Sequence, residues 1–527
     1  MRKSRALVLG GILWACSAMA DTSVILPNAA LFARCYGQIT GQPVPRGHAL
    51  LAAVKAGSIS AIDACVQVFD KAQLGNDNKI ATGHSDSEAV AVLNTFNNFH
   101  RSWFATTKIE DIIDHGPDTG VGTFDIYDPS EPALSLTYHL LKPSAAYSSV
   151  LTDSFGYQAV REENTTIKNL LGYTVSMPSR RLYGNNATID QNAIVLRSGN
   201  LDASKVHAFF GDSRTNTSQV MPKIQVGDVI GVLPQPQNFT VPNLVLNPLG
   251  GDPGSQVRDG TIEADLNYSY NFYSSFGGGV LGQPIYLMMN IGHPKGLMYT
   301  GAEKLPRRWV YNTMQTFLCS QFPSLRESDV QSYLDMNGTA PFRKATSCLQ
   351  CHATMDQAAM TARNIVAGGS EWNTFTGADG GQTKTTDMLT SYKVTTADMG
   401  SWPSSAVANY HVQNPTGKLY FRSVTGQLIN QPLVGLSGLG SAMASTEDYY
   451  DCAAKRYFEF FTGISVSLYD MTDPRFASVN ESLTQDNLSD LQFVKKLGAN
   501  LRSTQSLRQM VLDILSSDYY KSVNFRP

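Results

Sequence analysis

Apolar residues recur at helical spacing through the first hundred positions. Leu50, Leu51 and Val54 open one run, and Ala61, Ile62, Ala64, Cys65, Val68 and Phe69 continue it with a period near about 3.6. Ser58 and Ser60 stand where a helix cap belongs. Residues 89–104 repeat the pattern and end in aromatic side chains. The segment 27–108 therefore reads as helical.

The pattern breaks after that. Helical stretches at 133–141 and 145–151 are interrupted by Gly, Asn and Pro. Residues 223–233 alternate and are rich in β-branched side chains, which predicts a strand or hairpin. Residues 247–254 have the composition of a loop. Helical spacing resumes from Leu305, where Trp309, Val310, Met314, Phe317 and Leu318 form a stripe ahead of Cys319. A Gly/Thr/Ser-rich stretch, 367–405, reads as a flexible connection. Near the end, Leu507, Met510, Val511, Ile514 and Leu515 fall on one helix face, with Ser506 or Thr504 as cap.

The expected fold is thus mainly α. Helical N- and C-terminal regions flank a mixed α/β, loop-rich middle. The expected divisions are a leader at 1–20, a helical N-terminal region at 21–108, a mixed region at 109–300, a further region at 301–445 and a helical C-terminal region at 446–527.

The signal peptide is read from three features. Arg2, Lys3 and Arg5 are basic, residues 6–15 are mostly apolar, and Ala18-Met19-Ala20 precedes Asp21 as a small-x-small cleavage site. The apolar run is too short to span a bilayer. Cys16 offers a weaker alternative, a lipid anchor, but Trp14 suits that motif poorly. Removing the segment takes away Arg2, Lys3 and Arg5 and no acidic residue, so the formal charge of −3 becomes more negative. No basic cluster suggests nucleic acid, and no later segment is long and apolar enough to cross a membrane. Charged residues are 16% of the chain, below the roughly 25% usual in soluble domains. Such a surface is common in exported proteins, so a periplasmic or extracellular location is expected.

One motif names chemistry. Cys348-Leu-Gln-Cys351-His352 matches the covalent haem attachment pattern. Two thiols at that spacing reach the two vinyl groups of one porphyrin edge, and the next histidine is carried toward the iron. From this chain's own cysteine and histidine content, about 0.002 such motifs arise by chance. A structural zinc site wants a second ligand pair, and none is present. A redox disulfide wants a thioredoxin-like setting, which the flanks lack. One covalent haem c is expected, on Cys348 and Cys351, with His352 as proximal ligand, which makes 301–445 the haem c region of a C-terminal c-type haem domain. Met355 and Met360 lie too close behind His352 to reach the other haem face. Met399, in Met399-Gly-Ser-Trp-Pro403, is the first choice for a distal ligand, with Met388 and His411 as alternatives.

The remaining cysteines, Cys35, Cys65, Cys319 and Cys452, are even in number, and an oxidising compartment favours pairing. Three pairings exist, of which Cys35–Cys65 with Cys319–Cys452 is the most local. Gly277-Gly-Gly279-Val-Leu-Gly282 is a literal dinucleotide fingerprint, but Pro284 follows and no βαβ unit surrounds it. A glycine turn between packed helices is the better reading. His100, among aromatics, reads as a hydrogen-bonded core residue.

Three further stretches carry a resemblance: Phe272-Tyr-Ser-Ser-Phe-Gly-Gly-Gly-Val-Leu-Gly-Gln-Pro-Ile-Tyr286, the Arg307-Arg-Trp-Val-Tyr-Asn run to Cys319, and the Thr446–Gly463 and Leu507–Ser517 segments. With the haem motif, they make residues 270–527 resemble the large single-haem cytochrome c domain-containing proteins of planctomycetes. The resemblance implies an exported protein with one haem on Cys348, Cys351 and His352. It departs after Asp356, where Gln-Ala-Ala-Met360 replaces the family's Asp-Pro-x-Gly-Phe. The expected activity is electron transfer to or from a redox partner protein or an internal site. The alternatives are a haem-dependent oxidoreductase or peroxidase with an open sixth position, and an envelope or surface binding protein with an accessory haem domain.

Overall fold

The computed structural model describes residues 24–83, 85–104, 130–160, 230–235, 275–290, 307–363 and 413–527, together with the separate strands named below. The expected signal peptide at 1–20 and Cys16 lie outside the described residues.

The chain is mainly helical. Five helices open it: α1 (Asn28–Thr40), α2 (Ala49–Lys55), α3 (Ala61–Asp70), α4 (Ser87–Ser102) and α5 (Glu131–Leu141). Their ends follow local chemistry. His48 accepts the Leu50 amide at the start of α2, Ser60 accepts the Asp63 amide at α3, and Asp86 accepts those of Glu88 and Ala89 at α4. Of the two candidate serines, Ser60 is therefore the cap. Cys35 of α1 and Cys65 of α3 are disulfide-bonded.

The middle of the chain contributes short strands. They are β1 (Gly156–Val160), β2 (Thr165–Lys168), β3 (Thr174–Met177), β4 (Leu196–Arg197), β5 (Val206–Gly211), β6 (Gly231–Gln235), β7 (Asn238–Val241), β8 (Thr261–Ile262) and β9 (Tyr270–Tyr273). All described pairings among them are antiparallel: β1 with β6, β2 with β3, β4 with β8, and β7 with β9. The strand expected at 223–233 is described only from Ile230 on, with β6 beginning at Gly231. The stretch 145–151 is a 3-10 turn, Tyr147–Leu151, rather than an α-helix.

Helices α6 (Pro284–Met289), α7 (Arg307–Leu318), α8 (Glu327–Val330) and α9 (Thr346–Ala359) follow. Beyond α9 the Gly/Thr/Ser-rich stretch departs from its reading as a flexible connection. It builds two long strands, β10 (Ile365–Thr376) and β11 (Thr383–Lys393), paired antiparallel from Ile365 opposite Lys393 to Thr376 opposite Thr383. β11 also pairs with β5, so the middle region and this hairpin share a three-stranded sheet in the order β10-β11-β5. Threonine supplies the β preference that the glycines conceal.

A last hairpin, β12 (Thr416–Arg422) and β13 (Leu428–Val434), leads into α10 (Gly435–Ser445), α11 (Glu447–Thr462), α12 (Ala477–Glu481), α13 (Gln485–Thr504), α14 (Leu507–Ser516) and α15 (Asp518–Lys521). Ser506 caps α14 by accepting the Gln509 amide, while Thr504 lies inside α13. Cys319, just past α7, is disulfide-bonded to Cys452 of α11. The most local of the three pairings is the one formed.

One apolar core runs from Leu31 of α1 to Tyr520 of α15. It draws on both ends of the chain, so the terminal helices bury their stripes against one another. Arg34 fixes the last turn, donating to the carbonyls of Tyr520, Ser522 and Val523 at 2.7–2.8 Å. The glycine-rich segment is wedged into this core as a 3-10 turn, Gly279–Gly282. Gly279 has φ +56, and a Cβ there would strike the Val150 carbonyl. The glycines thus serve close backbone approach, not a dinucleotide. Among the described residues no helix is long and apolar enough to cross a membrane.

Candidate functional site

Cys348, Cys351 and His352 sit in the first two turns of α9, which a 3-10 turn at Pro341–Lys344 leads into. Their spacing of i, i+3 and i+4 places all three on one helical face. Both thiols are free; Cys348 is exposed and Cys351 half-buried. Burial pushes the Cys351 thiol pKa up, against the opposing charge of Arg475.

The neighbouring face of α9 fastens the helix down. Leu349 and Ala353 pack with Leu325, Val330 and Tyr420 in a small second core. Gln350 donates to the Leu325 carbonyl at 3.1 Å, and Thr354 donates to the Tyr420 carbonyl at 2.6 Å. Further along, Ala358 and Ala359 enter the main core. The start of α9 thus stands on one core and its end on the other, which fixes the face that carries the motif.

The His352 ring stacks on Phe342, with centroids 4.5 Å apart and planes 26° from parallel. The Arg307 guanidinium lies 4.9 Å above the Phe342 ring. Arg307 also grips Asp356, with Nε to Oδ1 at 2.5 Å and a second nitrogen to Oδ2 at 3.0 Å. Asp356 is one turn beyond His352, and its Oδ1 is 3.8 Å from His352 Nδ1. That is past hydrogen-bonding range. Nδ1 is buried and has no hydrogen-bond partner. Burial first, and then the nearby Arg307 charge, lower the His352 pKa, while Asp356 acts the other way. Both lowering influences favour the neutral ring over the protonated one.

These residues fit a covalent haem in three respects. Two free thiols stand on one helix face, an imidazole follows them, and its Nδ1 is buried without a hydrogen-bond partner. A neutral ring nitrogen is what iron takes, and the other nitrogen of a metal-bound histidine normally donates to a carboxylate or carbonyl. Among the described residues no group of three or more His, Cys, Asp or Glu side chains is arranged to hold a metal ion.

The distal ligand is less defined. Met388 lies in β11, its main chain opposite Ser370 on one side and Gly211 on the other. Met399 and His411 lie outside the described residues. Arg307, Phe342 and Asp356 escaped the sequence reading. Asp356 had a local signal, its i+4 spacing from His352. Arg307, 49 residues from Asp356, had none.

No protein-family model, no curated protein and no solved structure matches this chain.

Proposed function

We propose that the protein is an exported c-type cytochrome carrying one covalent haem and that it transfers electrons to or from a redox partner. The observation that supports this best is the face of α9, where free Cys348 and Cys351 stand beside His352 with its unpartnered Nδ1. Two disulfides elsewhere suit an oxidising compartment. The single motif and the C-terminal stretches support membership of the planctomycete-type cytochrome c domain-containing proteins.

In this reading Cys348 and Cys351 would hold the haem through two thioether bonds and His352 would offer an imidazole nitrogen to its iron, with Phe342 stacked on the ring. Leu349, Ala353, Gln350 and Thr354 would keep that face of α9 in place. The haem supplies reversible one-electron chemistry when bound.

The test is expression with a haem maturation system. Haem that stays with the polypeptide after denaturation, with a c-type α-band on reduction, is the expected result. Cys348→Ala together with Cys351→Ala should abolish it. Haem absent from the wild-type chain, or fully extractable from it, overturns the proposal. Carbon monoxide then separates carrier from oxidoreductase. A rapid spectral shift in the reduced protein means an open sixth position and overturns simple electron transfer.

A further inference from the structure

The geometry points to Asp356 as the positioning residue of His352, and to Arg307 as the group that sets how much of the carboxylate's charge the histidine receives. This rests on the haem reading above.

His352 Nδ1 is buried without a partner, yet an ordered carboxylate oxygen stands 3.8 Å away. Closing that gap by about 1 Å makes a hydrogen bond of ordinary length. The helix favours the approach, since residues four apart lie one above the other. Phe342 holds the ring plane on one side. Asp356 cannot drift freely, because Arg307 holds both of its oxygens. Asp356 and Arg307 are the two charged groups that act on His352.

A carboxylate accepting Nδ1–H makes the imidazole more electron-rich. An electron-rich ligand favours ferric over ferrous iron, so the reduction potential falls. Arg307 works against this. By sharing the carboxylate, it draws charge away from the histidine. The two residues therefore move the potential in opposite directions, although both belong to one ion pair. Loss of either charge also moves the potential in these directions through space, so the Nδ1–H proton resonance of His352 is read alongside it. An Asp356 hydrogen bond requires that resonance to shift in Asp356→Asn, and an unshifted resonance overturns the inference whatever the potentials do.

The experiment measures the midpoint potential of the haem-loaded full-length protein, with circular dichroism as a check on folding. Asp356→Asn keeps the shape and removes the charge. It should raise the potential, shifting the equilibrium with a fixed one-electron redox partner tenfold or more, which is about 59 mV. Arg307→Met should lower the potential, because Asp356 is then left to His352 alone. If Asp356→Asn does not fold, the direction of the Arg307→Met shift and the same resonance in that variant decide. Potentials equal to wild type, or shifts of the same sign in both variants, overturn the inference while leaving haem attachment intact. Absence of haem from the wild-type protein overturns this inference and the haem reading together.

Discussion

Arg422 holds Asp329 with two bonds, Nε to Oδ2 and a terminal nitrogen to Oδ1, both 2.7 Å long. The pair ties β12 to α8, and those two elements supply the floor on which α9 stands. The Asp329 side chain is 4% exposed, so its charge depends on this partner. Burial pushes its carboxyl pKa up, but the Arg422 guanidinium and the Arg326 amide together outweigh that and keep it below the usual range.

Arg422→Met leaves that buried carboxylate with the Arg326 amide and the more distant Arg326 charge alone. Breaking one side of a buried pair costs about 3–5 kcal/mol. The expected result is a lower urea midpoint at pH 7 and faster amide exchange in α9. A depressed carboxyl pKa stabilises the fold above its unfolded value, about 3.9, and that support is lost as pH falls through the folded value. The variant should therefore differ least from wild type in acid. Unchanged exchange in α9 would show that the motif helix does not rest on this pair.

The cysteine pairing gives a thiol count. Among the described cysteines only Cys348 and Cys351 are free, and Cys16 leaves with residues 1–20 if the proposed export cleavage occurs. Thiol titration of the denatured, unreduced chain should find those two, and haem attachment should remove both. Cys319 and Cys452 are 133 residues apart, so their bridge restrains much of the unfolded chain. Replacing both by Ala should cost about 2–5 kcal/mol, read by thermal unfolding. A titration that finds four thiols in the unloaded chain would contradict the pairing.

What the sequence made legible was local. Caps, heptad-like stripes and the cysteine–histidine spacing act within one or two turns, and α3, α4, α9 and α14 follow from them. The strand pair β10–β11 was not legible. Its residues, such as Thr385, Thr386 and Thr390, lack the apolar alternation that marks a half-buried strand. Its third partner, β5, comes from far upstream. The site divides in the same way. Cys348, Cys351 and His352 are adjacent in sequence, whereas Arg307 reaches Asp356 only through the fold.

Gly440 lies inside α10, where a Cβ would strike the Leu151 carbonyl. Alanine is ordinarily the better helix residue by about 1 kcal/mol. Here the sign reverses, because neither backbone can retreat from the packed core. Overpacking of this kind costs about 1–3 kcal/mol, occasionally more. Gly440→Ala should lower the melting temperature, while Gly435→Ala, with open space around it, should do so only through its positive φ. If Gly440→Ala is as stable as wild type, the close contact of α10 with the Tyr147–Leu151 turn is wrong.

The acid limb of stability should carry the mark of His100. This side chain is fully buried, with Nδ1 2.8 Å from the Thr137 hydroxyl and Nε2 2.7 Å from that of Tyr457. Thr137 spends its own proton on the Ala133 carbonyl at 2.9 Å. Nδ1 therefore donates to Thr137, and Nε2 accepts from Tyr457. Both nitrogens are satisfied in the neutral ring, and burial lowers the pKa from 6.5 to about 3. The unfolded chain takes up the proton at a higher pH than the folded one. Stability from this group is thus complete above 6.5 and drains away as pH falls toward 3, at about 1.4 kcal/mol per pH unit. Buried His139, lowered to about 4, has the same sign. Asp448 and Asp451, raised by burial to about 6 and about 7, have the opposite sign and gain stability as pH falls toward the usual carboxylate range. His100→Gln isolates the first effect. It should cost about 1–3 kcal/mol at pH 7 through imperfect hydrogen bonding, and the gap to wild type should narrow steadily between pH 6.5 and 4. Urea unfolding at pH 7, 5.5 and 4 reads this directly, and parallel profiles for the two proteins would show that His100 titrates in the fold as it does in water.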